Sequence, residues 1–127
     1  MNPHCETPRA ADPGVSVVIC CHNGSARLRE TLAHLQRQEA EVPWEFLLID
    51  NASTDGTAKL ANELWPSSAP APLRVVTEPR LGLSFARRRG FVESRFGLVS
   101  FVDDDNWLAP DWVRIAHQVM TEHPEVG

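Results

Sequence analysis

The segment VSVVICC, residues 15–21, decides the fold class. All of its residues except Ser16 are apolar, which is typical of a parallel strand whose two faces are both covered. Three more short strands are expected at residues 44–49, 73–77 and 98–102, and segments with helical periodicity separate them. This alternation predicts an α/β fold with a Rossmann-like, mainly parallel sheet and helices on both faces.

Four helices should follow the four strands. Ser25 and Ser84 are expected to cap the first and third helices, and Pro110 suits the first position of the fourth. Trp107 and Trp112 lie near the acidic triplet at residues 103–105; either could form a wall of a sugar site, but packing in the core is the favoured interpretation.

The third helix carries two candidate packing faces. Phe85, Val92 and Phe96 form an apolar stripe, which we expect to be buried. Ala86 and Gly90 lie four residues apart and form a second stripe of small residues. That second stripe would let the helix approach the sheet closely.

Composition restricts the function classes. The chain has 127 residues, of which 43% are hydrophobic and 23% charged, as expected for one globular domain. Its net charge of −5 argues against a nucleic-acid partner or an anionic membrane surface. No apolar run approaches the roughly 18–20 residues of a membrane span, so no transmembrane segment is expected.

The ends of the chain and its cysteines give further expectations. Residues 1–14 are polar and contain three prolines, so we expect a disordered tail before a domain at 15–127. Three cysteines, two of them adjacent, do not form a disulfide framework, and a reducing, cytoplasmic location is therefore expected. An unfinished sheet would leave apolar surface, and a homo-oligomer is one arrangement that could cover it.

Polar residues gather where the predicted strands end. Ligands of open α/β sheets bind in the crevice beyond the carboxyl ends of the strands, so this edge is the candidate site. In strand order, the residues there are Cys21, His22 and Asn23, then Asp50 and Asn51, then Glu78, and finally Asp103, Asp104 and Asp105.

The aspartate triplet points most directly to a ligand. Extended geometry would project Asp103 and Asp105 to one side and Asp104 to the other. Three adjacent carboxylates repel one another, and Mg²⁺ or Mn²⁺ would relieve this while also binding phosphate oxygens. The alternative is a solvated acidic turn. Of the nearby consecutive arginines 87–89, at most one or two can reach a phosphate, because helical neighbours point about 100° apart.

Four motifs in order resemble family 2 glycosyltransferases with the GT-A fold, from about Val15 to Gly127. They are VVICCHN (17–23), LIDNASTDGT (48–57), GLSFARRRG (82–90) and FVDDD (101–105), the last similar to the family's D-x-D motif. Four residues depart from the usual pattern: Cys20-Cys21 for Pro-Thr, His22 for Tyr and Arg88 for Asn.

The resemblance implies roles for the matched residues. Asp50 would accept a hydrogen bond from the base, His22 would line the base or ribose pocket, and Arg87 would help to hold the donor. Asp103 would lie near the ribose and the metal, and Asp105 would coordinate the metal that bridges the diphosphate. The implied nucleotide-sugar-binding residues are Cys21, His22, Asn23, Asp50, Asn51, Arg87, Asp103 and Asp104, with Asp105 and Asp103 as metal ligands.

The implied activity is a metal-dependent, inverting transfer of a sugar from a UDP-, GDP- or dTDP-linked donor to a carbohydrate or lipid-linked acceptor. The resemblance places the acceptor region and the catalytic base beyond Gly127. Two alternatives stay open: a metal-dependent nucleotidyltransferase, although residues 23–27 are a poor version of its basic glycine-rich loop, and a donor-binding fragment without catalysis. A phospho-acceptor receiver domain fits poorly, because the first strand lacks its terminal acidic pair.

Overall fold

A parallel four-stranded sheet forms the centre of the molecule. The computed structural model describes residues 12–125, and its strand order is β3-β2-β1-β4. The predicted α/β class is confirmed. The elements are β1 (Asp12–Cys21), α1 (Ser25–Leu35), β2 (Trp44–Asn51), α2 (Thr57–Leu64), β3 (Leu73–Glu78), α3 (Leu83–Glu93), β4 (Phe96–Val102) and α4 (Trp112–Glu122).

Each face of the sheet has its own core. Val17 and Ile19 of β1 pack with Leu28 of α1 in a larger cluster, to which α2 and α4 also contribute. Val18 points to the opposite face, where it packs with Ala86 of α3. This alternation explains why β1 is apolar at nearly every position: both of its faces are buried.

Helix α3 packs through its small residues. Ala86 and Gly90 are buried, and a Cβ added to Gly90 would lie 2.5 Å from Val18 Cγ1. The predicted close approach through this stripe is therefore confirmed.

The predicted apolar stripe of α3 is wrong. Phe85 and Val92 are 41% and 66% exposed, and Phe96 is the first residue of β4 rather than part of the helix. The physical reason is distance, because a helix this close to the sheet leaves no room for large side chains between them.

The helix starts also differ from the prediction. Gly24 and Gly82 occupy the cap positions of α1 and α3, and neither helix has a side-chain cap. Helix α4 begins at Trp112, two residues after Pro110. At the start of α1 a residue from another loop takes the place of a cap: the N–H of Ser25 donates to the Asp55 carboxylate at 3.1 Å.

All four strands are longer than predicted: β3 ends one residue later, at Glu78, and β4 begins two residues earlier, at Phe96. β1 begins at Asp12 rather than Val15, so residues 12–14 belong to the sheet, while the rest of the expected tail, 1–11, lies outside the described residues. β2 extends to Asn51, which makes Asp50 and Asn51 strand residues rather than turn residues.

Strand β4 forms one edge of this sheet. Large apolar side chains near it are exposed, whereas a homo-oligomer stays a prediction. The exposed side chains are Phe91, Phe101, Ile115 and Val119.

No helix between residues 12 and 125 is long and apolar enough to cross a membrane.

Candidate functional site

The register of the sheet brings the predicted site residues to one edge. Cys21 pairs with Asp50 across β1 and β2, and Ile19 pairs with Val102 across β1 and β4. Asp103 follows Val102 directly, so the triplet begins beside the carboxyl end of β1. The chain order reverses between β1 and β4, and ligands of open α/β sheets bind at such a switch point.

His22 lies exposed at the end of β1 with both ring nitrogens engaged. Its Nδ1 is 2.7 Å from the carbonyl oxygen of Asn51, and its Nε2 is 3.3 Å from Nδ2 of Asn23. Because a carbonyl oxygen can only accept, Nδ1 carries the proton and Nε2 accepts from the amide. Both polar edges of the ring are therefore occupied by contacts within the protein.

Asn23 ties the β1–α1 loop to the β2–α2 loop. Its Oδ1 accepts from the backbone N–H of Thr54 at 2.7 Å, and its own N–H donates to Ser53 Oγ at 2.9 Å. Its φ of 51° lies in the left-handed region, which Asn tolerates better than most residues. The contacts of Asn23 described above are all within the protein. Its contact with a nucleotide sugar therefore stays a prediction.

Asp55 is a structural residue of this edge to which the sequence analysis gave no role. Its carboxylate accepts the N–H of Thr57, 3.1 Å away, and that of Ser25 in α1. The hydrogen bond from the Thr57 hydroxyl, with the others, holds the pKa of Asp55 well below its ordinary value. Its position two residues before α2 was the available signal, because Asp is favoured just ahead of a helix.

Asn51 organises the turn into α3. Its buried side chain donates through Nδ2 to the carbonyls of Glu78 and Arg80, at 3.0 and 2.7 Å, and accepts from the N–H of Gly82 at 2.9 Å. The sequence predicts Asn51 in the donor site, and that prediction stays untested. Its observed contacts fix the loop that leads to Arg87.

Glu78 pairs with two of the four nearby arginines and leaves the other two unpaired within residues 12–125. Its carboxylate is 1% exposed and accepts from Arg80 and from Arg89, the latter at 3.3 Å. The hydrogen bond from the Arg80 side chain is the main reason why the pKa of Glu78 falls to about 2. Arg87 and Arg88 are exposed and form no ion pair within residues 12–125. Arg87 lies close enough to Cys20 for its charge to oppose the rise in that thiol's pKa, to about 11, that burial causes.

The aspartate triplet divides into one bound and two free carboxylates. Asp104 binds Arg27 of α1 through two hydrogen bonds, Nη2 to Oδ2 at 2.9 Å and Nε to Oδ1 at 3.2 Å. Cys21 Sγ donates to the same carboxylate at 3.2 Å. Asp103 and Asp105 are exposed, and in the described part of the chain neither carboxylate has a hydrogen-bond or ion-pair partner.

These two carboxylates are suited to a metal ion whose other ligands are water and the phosphate oxygens of a bound nucleotide, rather than to one held by protein side chains alone. No group of three or more His, Cys, Asp and Glu side chains among residues 12–125 could hold a metal ion by itself. Mg²⁺ usually takes one or two protein carboxylates and completes its shell with water and phosphate oxygens. The unpartnered oxygens of Asp103 and Asp105 are hard donors suited to such a cation.

The segment after the triplet lies along α1. Trp107 is 64% exposed and stacks on His34, with ring centroids 5.4 Å apart and planes 9° from parallel. The predicted core position of Trp107 is therefore wrong, because its ring packs on a helix side chain at the surface. Trp112 is partly buried against the main core, as predicted.

Comparison with known proteins identifies relatives of this chain. The model of the family described as "Glycosyl transferase family 2" matches residues 16–127. An uncharacterized protein of Mycobacterium tuberculosis is 31% identical over 117 residues, which are 92% of this chain and 35% of that protein. Polypeptide N-acetylgalactosaminyltransferase 13 of Homo sapiens is 32% identical over 111 residues, 81% of this chain and 20% of that one.

Solved structures show the same fold. TarS of S. aureus superposes with a TM-score of 0.74 at 22% identity, over 87% of this chain and 33% of that one. Mannosyltransferase PcManGT from Pyrobaculum calidifontis, solved with GDP-Man and Mn²⁺, gives 0.71 at 26% identity over the same shares. The chain thus has the GT-A fold in part and spans about a third or less of the length of these relatives. It belongs to glycosyl transferase family 2.

Proposed function

We propose that this chain is the donor-binding part of a metal-dependent glycosyltransferase, which moves a sugar from a nucleoside diphosphate sugar to a carbohydrate or lipid-linked acceptor. One observation carries the proposal: within residues 12–125, Asp103 and Asp105 present carboxylates without a partner at the sheet edge that also holds Asp50. The ligands named for the solved relatives support it, namely UDP and UDP-GlcNAc in TarS and GDP-Man with Mn²⁺ in PcManGT.

The base and ribose would lie over the end of β2. Asp50 uses Oδ1 to accept the N–H of Ser53 at 3.3 Å, which leaves its second oxygen available to a donor group of the base. His22 would offer a ring face, because both of its nitrogens are engaged within the protein. In this arrangement Asp50 would select the base through a hydrogen bond, and His22 would pack against the base or the ribose.

The diphosphate would lie between the triplet and α3. Asp103 and Asp105 would hold the divalent cation together with phosphate oxygens, and Arg87 would offer a second positive charge from α3. When bound, the cation acts as a Lewis acid that stabilises the charge of the departing nucleoside diphosphate. Arg87 is suited to this task, since it is exposed and unpaired among the described residues.

The transfer would invert the anomeric carbon. The acceptor oxygen forms a bond to that carbon while the bond to the diphosphate oxygen breaks, and the leaving oxygen keeps the electron pair. A carboxylate base would take the proton of the acceptor hydroxyl. We place that base beyond Gly127, as the resemblance implies, so donor binding without transfer is what we expect of residues 1–127 alone.

Calorimetry with UDP, GDP and dTDP, each in Mn²⁺ and in EDTA, tests the proposal. We expect at least one nucleotide to bind, and to bind more tightly in Mn²⁺. Asp105→Ala should abolish that gain, whereas Glu63→Ala, at an exposed and unpartnered position of α2, should keep it. A folded sample that binds none of the three in Mn²⁺ would overturn the proposal.

A further inference from the structure

One face of α1 and the turn after it contacts the segment that follows β4. Arg27, Thr31 and His34 are spaced by four and three residues, which brings their side chains to one side of α1, and Gln38 lies in the segment directly after the helix. We call these four residues the α1 stripe. Each of them contacts a residue between 104 and 113.

The stripe holds the beginning of that segment at Asp104. Arg27 binds both carboxylate oxygens, and Thr31 Oγ1 donates to the backbone carbonyl of Asp104 at 2.7 Å. Both the side chain and the main chain of Asp104 are therefore fixed to the helix. The Asp104 side chain is only 17% exposed, in contrast to its two exposed neighbours.

The stripe also holds the far end of the segment. Gln38 donates through Nε2 to the carbonyl of Ala109 at 2.6 Å, and its Oε1 accepts the N–H of Val113 at 3.0 Å. Between these ends, His34 stacks on Trp107. The segment from the triplet to α4 is thus held at its beginning and middle by α1, and at its far end by Gln38 just after that helix.

The space for this anchor exists because residue 24 is glycine. A Cβ added to Gly24 would lie 2.1 Å from Cys21 Sγ and 2.8 Å from Asp104 Oδ2. Any larger residue would push the thiol and the carboxylate apart. The contact between Cys21 of β1 and Asp104 of the triplet therefore requires that residue 24 has no side chain.

These contacts bear directly on Asp103 and Asp105. Each shares a planar peptide unit with Asp104, so fixing the middle residue restricts both neighbours. Arg27 also offsets the charge of the middle carboxylate, which would otherwise repel the other two. We propose that Arg27 is a positioning residue that, through Asp104, holds Asp103 and Asp105 in the arrangement that binds the cation and the diphosphate.

This inference rests on the proposed function and concerns affinity rather than folding. Arg27 is 45% exposed, and a single exposed ion pair contributes little to global stability. Groups that orient metal ligands from outside the coordination shell, by contrast, typically alter metal affinity by about 10–100-fold. We expect the lower end of this range, about 10-fold, because of the exposure.

The test compares Arg27→Ala with Arg29→Ala, two changes on the same helix. Arg29 is exposed, and its side chain forms no hydrogen bond or ion pair within residues 12–125. UDP, GDP and dTDP are titrated into each variant with Mn²⁺ and with EDTA. Arg27→Ala should weaken binding about 10-fold in Mn²⁺ and leave binding in EDTA unchanged, and Arg29→Ala should match the wild type in both. Arg27→Lys should restore part of the loss, since lysine keeps the charge but not the two-pronged geometry.

A second readout follows the loop itself. Hydrogen exchange at the amide of Asn106, which donates to the Asp103 carbonyl at 3.2 Å, should become faster in Arg27→Ala and not in Arg29→Ala. The inference is overturned if the wild type binds a nucleotide in Mn²⁺ and the two alanine variants bind it equally well. Wild-type protein that binds no nucleotide would instead overturn the proposed function, and this inference with it.

Discussion

The side-chain oxygen of Asn51 accepts a hydrogen bond from the backbone N–H of Gly82 at 2.9 Å. This contact joins the last residue of β2 to the residue that precedes α3. Because the Asn51 carbonyl also accepts from His22, one residue connects the loops after β1, β2 and β3. The candidate site is therefore built on a continuous network rather than on separate loops.

Replacing Asn51 should destabilise the fold. Asn51→Ala leaves the carbonyls of Glu78 and Arg80 and the N–H of Gly82 without this partner. A buried polar group without a partner costs about 1–3 kcal/mol, so we expect the free energy of unfolding to fall by about 2–3 kcal/mol. Urea denaturation followed by circular dichroism measures this. Asn62→Ala, at an exposed position of α2, is the control, and an equal effect of both changes would contradict the assigned role.

The packing of α3 on the sheet predicts that Gly90→Ala is destabilising. The new Cβ would lie 2.5 Å from Val18 Cγ1, and overpacking of this kind costs about 1–3 kcal/mol. Alanine favours the helix over glycine by about 1 kcal/mol, which leaves a net loss of up to about 2 kcal/mol. A thermal melt that showed Gly90→Ala to be clearly more stable than the wild type would refute the close approach.

A double substitution isolates this contact. Val18→Ala removes the methyl group that the new Cβ would meet, so it should cost less in the Gly90→Ala background than in the wild type. The coupling free energy between the two sites measures the clash. Simple additivity of the two effects would mean that residues 18 and 90 do not compete for the same space.

The ion pairs of Glu78 predict a pH dependence of stability. Its pKa falls from an ordinary value of 4.5 to about 2, mainly through the Arg80 side chain, so folding favours the ionised form. The stabilisation is present above pH 4.5 and is lost as the pH falls towards 2. Glu78→Gln should therefore be less stable than the wild type at pH 7, and the difference should shrink across that interval. Denaturation at a series of pH values checks this, with Glu63→Gln as the control; a constant difference would contradict the pairing.

The buried thiol of Cys21 should react slowly in the native state. Burial, together with the hydrogen bond to Asp104, raises its pKa to about 12. Only about one thiol in ten thousand would be ionised at pH 8, and the thiolate is the nucleophile. Iodoacetamide at pH 8 should modify Cys21 far faster in urea than in the folded protein, as mass spectrometry of the labelled peptide would show. Equal rates in the two states would exclude the buried position.

The sequence alone predicted the edge at which the candidate site lies. The apolar strands imply a parallel sheet, and the carboxyl ends of parallel strands meet at one edge. Asp50 and Asp103 follow two such strands, so their proximity needed no knowledge of side-chain contacts. The motifs around them also identified the family that the comparisons confirm.

The partners of individual side chains could not be predicted in the same way. Arg27 and Asp104 lie 77 positions apart, and nothing in either segment names the other. The sequence did not predict that Asn51 and Glu78 hold the turn before α3, as their contacts in the structure show. A polar residue at a strand end has the same sequence signature whether it faces a ligand or a neighbouring loop.

The amino-acid sequence by itself thus determined the α/β class, the site edge and the family, because these follow from local periodicity and from motifs of a few residues. Only the tertiary structure decided which carboxylate of the triplet is bound, which arginines are paired and which face of α3 meets the sheet. Those outcomes depend on distances between segments that are remote in the chain. Helix α3 lies so close to β1 that the small Gly90 faces the sheet and the large Phe85 does not. Helix α1 lies close enough to the end of β4 for Arg27 to bind Asp104.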